Sequence, residues 1–476
     1  TTATGRTVRT TCYECDANCA FDVGIDDDGR VRLLHGPECP RGAAQLEREY
    51  HPDRLLHPLK RVGPRGSGEF EPVSWDEALD TVARGLETAR ETHGAAPVGF
   101  FAGYTKEVRP YLQRLAHAFG SPNFLTESGC CFSATLAAEK LTFGDRLKTA
   151  SLLESDATRC LLVWTCNPPA SVMPFDWHHV ALPKEGRVTV VVDPRRTETA
   201  ARAELHLQPR PGTDGALALA LHHVIFANGW EDAGFLAGHG EGVEAFRDYV
   251  RRFSPARAAD ICGVPAADIE RAAELYATRG PAQIALSPTA TVHHTNGFQN
   301  HRAVTLLAAV TGNLDTPGGN RFFHHKLPPK HIDLFRERIG TLPPRLGDER
   351  FPVWTKYWPA AHSMLMPDAI LEGRPQPLRA LFAVGISSAM WPNTARMYQA
   401  LEALDFFACV DFFLTETAKR ADIVLPAATS LEREALVAYP GCQFRGEVRY
   451  RDAVLAPRGE ARADAQISLD IAVALG

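Results

Sequence analysis

The sequence predicts an α/β protein built on doubly wound parallel sheets, with a small domain of short strands at its amino end. Three observations predict it. Short apolar runs alternate with amphipathic helical stretches along most of the chain. Those runs are apolar on both faces, as strands covered by helices must be. The first 60 residues differ in character and hold Cys12, Cys15, Cys19 and Cys39, four of the eleven cysteines.

In the first 60 residues, an alternating segment at 23–34 is broken by Asp28-Gly29, a hairpin signal. A Gly/Pro-rich link follows at 63–68. Ser74-Trp75-Asp76-Glu77 then reads as a capping box. It opens a helix with Ala78, Leu79, Val82, Ala83 and Leu86 on one face. Further buried strands are expected at 97–101, 160–165, 188–192, 283–286, 380–384, 406–410 and 422–425. Helices are expected near 111–119, at 215–228 and at 266–279. Parallel sheets of this kind bind ligands beyond the carboxyl ends of their strands. The Pro-, His- and Lys-rich stretch 319–344 reads as a long surface loop.

Length and composition narrow the function. A chain of 476 residues suggests two to four domains. The net charge of -6, with acids and bases mixed, argues against a nucleic-acid partner. No apolar run reaches the ~18 residues of a membrane span; the longest, at 216–226, contains His222 and His223. No signal peptide is visible, so a cytoplasmic location is expected. A periplasmic one is the alternative, because the sequence starts at Thr1 and a leader could have been removed.

The odd cysteine count and the length argue against a disulfide framework. Cys12-x2-Cys15-x3-Cys19, then Cys39, places three thiols on a tight loop and a fourth on a later turn. Such a set encloses a [4Fe-4S] cubane. Zinc is the alternative, although structural zinc sites usually pair two CxxC knuckles and only one is present here.

The cysteine run, followed by Gly36-Pro37-Glu38-Cys39-Pro40-Arg41-Gly42, resembles the amino-terminal domain of the dimethyl sulfoxide reductase superfamily of molybdopterin oxidoreductases. The resemblance extends over essentially the whole chain. It implies a [4Fe-4S] domain at 1–60 and a Rossmann-like pterin-dinucleotide domain at 151–324. It also implies a discontinuous α/β domain made of 61–150 and 325–476. The implied cofactors are the [4Fe-4S] cluster, two molybdopterin guanine dinucleotides, and molybdenum or tungsten.

Site residues follow from the same resemblance. Cys12, Cys15, Cys19 and Cys39 would hold the cluster. Arg41, two positions after the last of them, would lie between cluster and pterin and affect electron passage; a surface arginine is the bland reading. Asn167 and Ser171 belong to a strand-end loop similar to the family's pterin-dinucleotide loop. Asp193, Arg195 and Thr197 end the next strand, where an acidic residue is placed to take guanine or ribose donors. Gly212 and Asp214 open a helix whose N–H groups suit a nucleotide. Gly312 and Asn313 match another family loop. Gly385 and Thr417 belong to the second dinucleotide site. None of these is a GxGxxG or P-loop motif, so no NAD or ATP site is expected.

Cys131 precedes a helix that runs to Gly144, the place of the family's metal ligand. A soft thiolate suits molybdenum or tungsten, and a helix amino terminus lowers its pKa. Cys130 is the rival for that role. In the family's formate dehydrogenases a His follows the ligand; Phe132 departs from this, so formate oxidation is not expected. Asp16, directly after Cys15, has a counterpart in acetylene hydratase, where it is held to activate water. It is either an acid–base group or a loop cap. Among the histidines of 291–302, one such as His294 would face substrate. His324, His325 and His331 form a weaker metal-like set.

The implied enzyme transfers an oxygen atom or hydride equivalents on a small-molecule substrate, passing electrons through the cluster to a partner. A non-redox hydratase or transhydroxylase is the alternative, with Asp16 as acid or base. A metal-free scaffold subunit is a third, but the intact cysteines argue against it. Single-chain relatives continue into a barrel-like cap over both pterins, whereas this sequence stops at Gly476. A separate cap-bearing chain is therefore expected, with a longer product of the same gene as the alternative.

Overall fold

The computed structural model describes residues 6–15, 18–35, 39–105, 107–147, 156–171, 185–293, 295–322, 340–437 and 448–476. The chain divides into two compact units. One comprises Thr1–Cys130 with Lys326–Gly476; the other is Cys131–His325.

The first unit opens with a three-stranded antiparallel sheet of β1 (Arg6–Thr11), β2 (Ala20–Ile25) and β3 (Val31–His35). The β2–β3 turn is the expected one: Asp26 accepts from Gly29 at 2.8 Å, and Gly29 takes φ 73°. A small apolar core of Phe21, Val23 and Val31 lies beneath it, joined by Leu431 and Val454. The helix Pro40–Glu49 follows, capped by Cys39. The short strands β4 (Leu59–Arg61) and β5 (Phe70–Pro72) lead to the helix Trp75–His93. Only half of the expected capping box forms there. Ser74 accepts from the Glu77 N–H at 3.2 Å, but the Glu77 carboxylate pairs with Lys60 at 2.7 Å instead of reaching back. Strands β6 (Val98–Ala102) and β7 (Phe124–Thr126) flank the helix Arg109–Phe119.

The second unit is a parallel sheet in the order β10-β9-β8-β11, formed by β8 (Cys160–Trp164), β9 (Val188–Val192), β10 (Leu205–Leu207) and β11 (Ala282–Leu286). Its core joins these strands to the helices Asp214–Ala227, Ala266–Thr278 and Gly297–Val310. The near-continuous burial of β8 and β11 explains why both read as apolar runs without alternation.

The chain then completes the first unit's seven-stranded sheet, ordered β5-β4-β14-β13-β12-β6-β7. The added strands are β12 (Ala380–Val384), β13 (Phe406–Asp411) and β14 (Ile423–Pro426). From β14 to β7 the pairing is parallel, and only β4 and β5 run antiparallel at one edge. A last hairpin pairs β15 (Ala435–Val437) with β16 (Arg449–Arg451). No helix among the described residues is long and apolar enough to cross a membrane.

Inside the first unit a fully buried ion network ties the amino-terminal helix to the loop after β14. The side chains of Arg54, Glu49 and Glu432 are all 0% exposed. Arg54 bonds both carboxylates, and the Thr429 hydroxyl donates to Glu49. Glu432 also accepts the N–H groups of Thr429 at 2.9 Å and Arg458 at 2.8 Å. Burial and the Glu432 charge raise the Glu49 carboxyl above its ordinary range. Burial pushes Glu432 up as well, but the bonds from Arg54 and Thr429 outweigh it and hold it low.

Two predictions follow from this packing. Arg54→Met strands two carboxylates without their cation and should cost about 3–5 kcal/mol of stability at neutral pH. Urea unfolding followed by circular dichroism measures it, and a variant as stable as the parent would refute the network's importance. The second concerns His222, which is 0% exposed with Nε2 2.9 Å from the Ala303 carbonyl oxygen. Burial pushes its pKa down to about 4. The unfolded chain therefore holds a proton on this ring, between about pH 4 and 6.5, that the folded chain does not. Stability is lost as pH falls through that window. Proton uptake on unfolding near pH 5 should drop by about one in His222→Leu, measured as the slope of unfolding free energy against pH.

Candidate functional site

The first unit carries the cysteine centre. The Cys12 N–H donates to the Cys19 carbonyl at 2.8 Å, and the Asn18 N–H to that of Cys15 at 3.3 Å. The backbone thus closes a loop that carries three of the four thiols. The fourth, Cys39, is the N-cap of the helix Pro40–Glu49, and its sulfur accepts from the Gly42 N–H at 3.3 Å. Burial pushes the Cys12 thiol up to about 12, so iron binding there would have to expel a proton. Among the described residues, no three His, Cys, Asp or Glu side chains stand close enough to hold one metal ion. Zinc needs its four ligands around a single centre, whereas each cubane thiolate goes to a different iron. Four thiols are a donor set that suits an iron–sulfur cluster as well as zinc. Arg41 is an exposed residue in the first turn of the same helix. Asp16 lies outside the described residues.

At the carboxyl ends of β6 and β12 two glycines let backbones meet. A side chain at Gly103 would strike the Gly385 carbonyl, and Gly385 takes φ 63°. Thr417, in the loop after β13, accepts from the Ser388 N–H at 3.0 Å and so joins two strand-end loops. The Ser388 hydroxyl and the Trp391 indole N–H are buried there without a hydrogen-bond partner among the described residues. Unmatched donors at strand ends are what a polar dinucleotide would satisfy. Neither residue stands out in sequence, where each is one polar group in an ordinary turn.

Cys130 closes the 3-10 turn Glu127–Cys130, with its sulfur 3.1 Å from the Glu127 carbonyl oxygen. Cys131 lies in the second unit, immediately before Phe132, the N-cap of the helix Ser133–Phe143. Phe132 makes no side-chain capping bond. On the first turn, the buried hydroxyls of Ser133 and Thr135 have no partner among the described residues. Further along, Glu139 accepts the Leu147 N–H at 3.1 Å and lies 3.2 Å from Nε2 of His301. Nδ1 of His301 is 3.1 Å from the Thr291 hydroxyl. His301 is thus part of a buried network rather than a group facing substrate. His293 is exposed. His294, His324, His325 and His331 lie outside the described residues.

The strand ends of the second unit hold most of the sequence-predicted dinucleotide residues. Asn167 accepts from the Thr199 hydroxyl at 2.8 Å and donates to Glu198 at 2.9 Å, and Ser171 donates to the Asn167 carbonyl at 3.1 Å. Asp193 is buried and accepts the Arg195 N–H at 2.8 Å, fixing the turn after β9. Thr197 accepts from Ala200 N–H at 3.1 Å. Gly212 takes φ 86° just ahead of the helix Asp214–Ala227. Asp214 accepts the Trp164 indole N–H at 2.7 Å, tying that helix to the end of β8.

Between these loops sits Thr165, just past the end of β8, where the sequence predicts the last residue of a strand and no site residue. It holds φ 47°, an outlier for a β-branched residue, and its buried hydroxyl has no partner among the described residues. Strain of this kind collects at functional sites. Gly312 and Asn313 occupy a different place. Asn313 accepts the Ala282 N–H at 2.8 Å, and Asn320 brackets Ile284 at 2.9 Å on both sides. Their loop covers the free edge of β11, entering at the strand's amino end. Gly312 takes φ 67° and packs against Asp232, which leaves no room for a side chain.

Comparison with known proteins agrees with this geometry. The pattern of the molybdopterin oxidoreductase family matches residues 54–474. A probable oxidoreductase of Bacillus subtilis is 28% identical over 97% of this chain and 68% of its own length. The molybdopterin-containing subunit of thiosulfate reductase from Salmonella typhimurium is 27% identical, over 98% of this chain and 63% of its own length. The solved structure of acetylene hydratase from Pelobacter acetylenicus superposes with a TM-score of 0.86 at 27% identity, covering 98% of this chain and 69% of that one. The chain thus spans about two thirds of the length of these relatives. It belongs to the molybdopterin oxidoreductase family.

Proposed function

We propose that the chain is the catalytic subunit of a molybdenum or tungsten bis-(molybdopterin guanine dinucleotide) oxidoreductase. It acts on a small-molecule substrate, and its electrons leave through a [4Fe-4S] cluster to a partner. One observation carries the reading: a closed Cys12–Cys19 loop and a helix-capping Cys39 occur in one chain with Cys131 at the head of a second helix. The bound cofactor supplies oxygen-atom or hydride chemistry. Cys131 offers it a soft sulfur ligand. Asn167, Asp193, Thr197 and Asp214 shape the strand-end turns that would receive one dinucleotide. Gly385 and Thr417 shape those for the other, and Thr165 and Ser388 offer each a buried hydroxyl. Arg41 places a fixed positive charge beside Cys39 on the electron route. The thiosulfate reductase relative is by name one subunit of a larger enzyme, which supports a separate electron-transfer chain as partner.

A non-redox hydration on the same cofactor is the second reading. Asp16 directly follows Cys15, and the similarity to acetylene hydratase supports an acid–base role for it.

Metal analysis and spectroscopy separate the readings. Anaerobically prepared protein should contain about four iron and four sulfide per chain; stoichiometric zinc without iron would refute the cluster. Cys131→Ala should abolish turnover while both pterins stay bound; full activity in Cys131→Ala with loss in Cys130→Ala would move the ligand by one position. Substrate should change the metal's paramagnetic resonance signal. Turnover with no such change and no electron carrier, lost in Asp16→Asn, would establish the hydratase instead.

A further inference from the structure

The loop between Cys12 and Cys19 is gripped by arginines from separate segments of the first unit. The Tyr13 hydroxyl donates to the Glu107 carboxylate. The guanidinium carbons of Arg451 and Arg433 lie 5.1 and 5.6 Å from the Tyr13 ring centroid. Arg433 stands 3.8 Å from both Glu107 and Asp464, and Arg451 stands 3.9 Å from Glu107. Their side chains are only 9% and 0% exposed. Arg449 donates to the Asn18 carbonyl at 2.9 Å, and the Asn18 amide donates to the carbonyls of Cys12 and Cys15, both at 3.5 Å. Arg48 pairs with Glu14 at 2.8 Å.

Four guanidinium groups therefore converge on one eight-residue loop, two of them nearly or fully buried. Burial works against the charge of Arg433, but Asp464 and Glu107 outweigh it and keep the group charged. Burying arginine is costly, and an apolar side chain would fill the same space more cheaply. A nearby anionic group whose charge increases in use gives a reason for the arrangement. A thiolate-bound [4Fe-4S] cluster is such a group: it is negative overall and gains one further negative charge on reduction.

We infer that Arg48, Arg433, Arg449 and Arg451 form a cationic collar that stabilises the reduced cluster and raises its reduction potential. This rests on the reading of Cys12, Cys15, Cys19 and Cys39 as cluster ligands. A bound oxidised cluster would take up one electron, from the metal cofactor in the proposed reaction or from a low-potential one-electron reductant in a titration. No bond forms or breaks, and no proton moves. The four arginines are positioning residues. Arg451 and Arg433 act across the Tyr13 ring, Arg449 through Asn18, and Arg48 through Glu14. Each lies outside the cysteine motif and apart from Arg41.

The test is an anaerobic redox titration of the holoenzyme, followed by the paramagnetic resonance of the reduced cluster. A unit charge roughly 10 Å away in a medium of effective dielectric constant about 20 is worth about one tenfold step in an equilibrium. That corresponds to about 59 mV for one electron. Arg451→Gln and Arg449→Gln should each shift the cluster to a more negative potential on that scale. Arg451→Lys, which keeps the charge, should restore most of the parental value. Tyr13→Phe removes a hydrogen bond but no charge and should shift it far less. Parental potentials in both glutamine variants, with about four irons per chain retained, would overturn the collar and leave the cluster reading intact. A parent chain that binds no iron and sulfide would overturn both. If Arg451→Gln fails to assemble a cluster, Arg449→Gln and Arg48→Gln decide by the same measurement.

Discussion

Two charged carboxylates in a dry cavity repel one another, and the Arg54 guanidinium, bonded to both, offsets that repulsion. Glu49 ends the helix that Cys39 begins, and Glu432 lies beyond the last parallel strand of the seven-stranded sheet. The guanidinium therefore fixes the helix carrying one candidate cluster ligand to the sheet whose strand ends form one candidate cofactor floor. Thr429 and Arg458 complete the network from the same side. A salt bridge of this kind contributes little net stability against an apolar replacement, but it allows only one geometry. For a domain of three short strands, whose own core is small, that geometric constraint matters more than the energy.

The two units share a construction rule. Strands are buried, so their residues are apolar and interchangeable; the loops at their carboxyl ends are where individual residues matter. In the second unit Asn167, Asp193, Thr197 and Asp214 spend side-chain bonds on holding those loops in shape. In the first unit Gly103, Gly385 and Thr417 do the same by close approach and a single hydroxyl. Asn313 and Asn320 obey a different demand. A parallel sheet has open edges, and these two amides satisfy the N–H and carbonyl groups along β11.

Much of this was legible in the sequence, and what was not has physical reasons. The apolar runs of five or six residues that form β8, β9, β12 and β13 stood out because burial on both faces selects apolar residues. The β2–β3 turn was readable from Asp28-Gly29 because few residues accept its backbone angles. Strands β4, β5, β7, β10, β15 and β16 span three residues each, too few for any period to show. The capping box was half right because Lys60, distant in sequence, competes for the Glu77 carboxylate. Motif order singled out Gly312 and Asn313, but gave no sign that Asn313 would also bond the Ala282 backbone at the start of β11. The arginines around the Cys12–Cys19 loop were invisible for the same reason: Arg433, Arg449 and Arg451 lie more than 400 residues away along the chain.

Some local rules fail in this chain at positions where a ligand would offset the cost. A threonine at positive φ is unfavourable, and a buried hydroxyl without a partner is unfavourable again; Thr165 has both at one strand end. Among the described residues, Ser133 and Thr135 repeat the second cost beside Cys131, and Ser388 and Trp391 repeat it beyond β12. The packed core provides the stability that tolerates these costs: β8, β11 and β12 are buried along their whole length. These five residues lie at strand ends and at one helix head, positions at which a doubly wound fold can receive a polar ligand. On the proposed function, a bound dinucleotide would offset these local costs by supplying the missing hydrogen bonds.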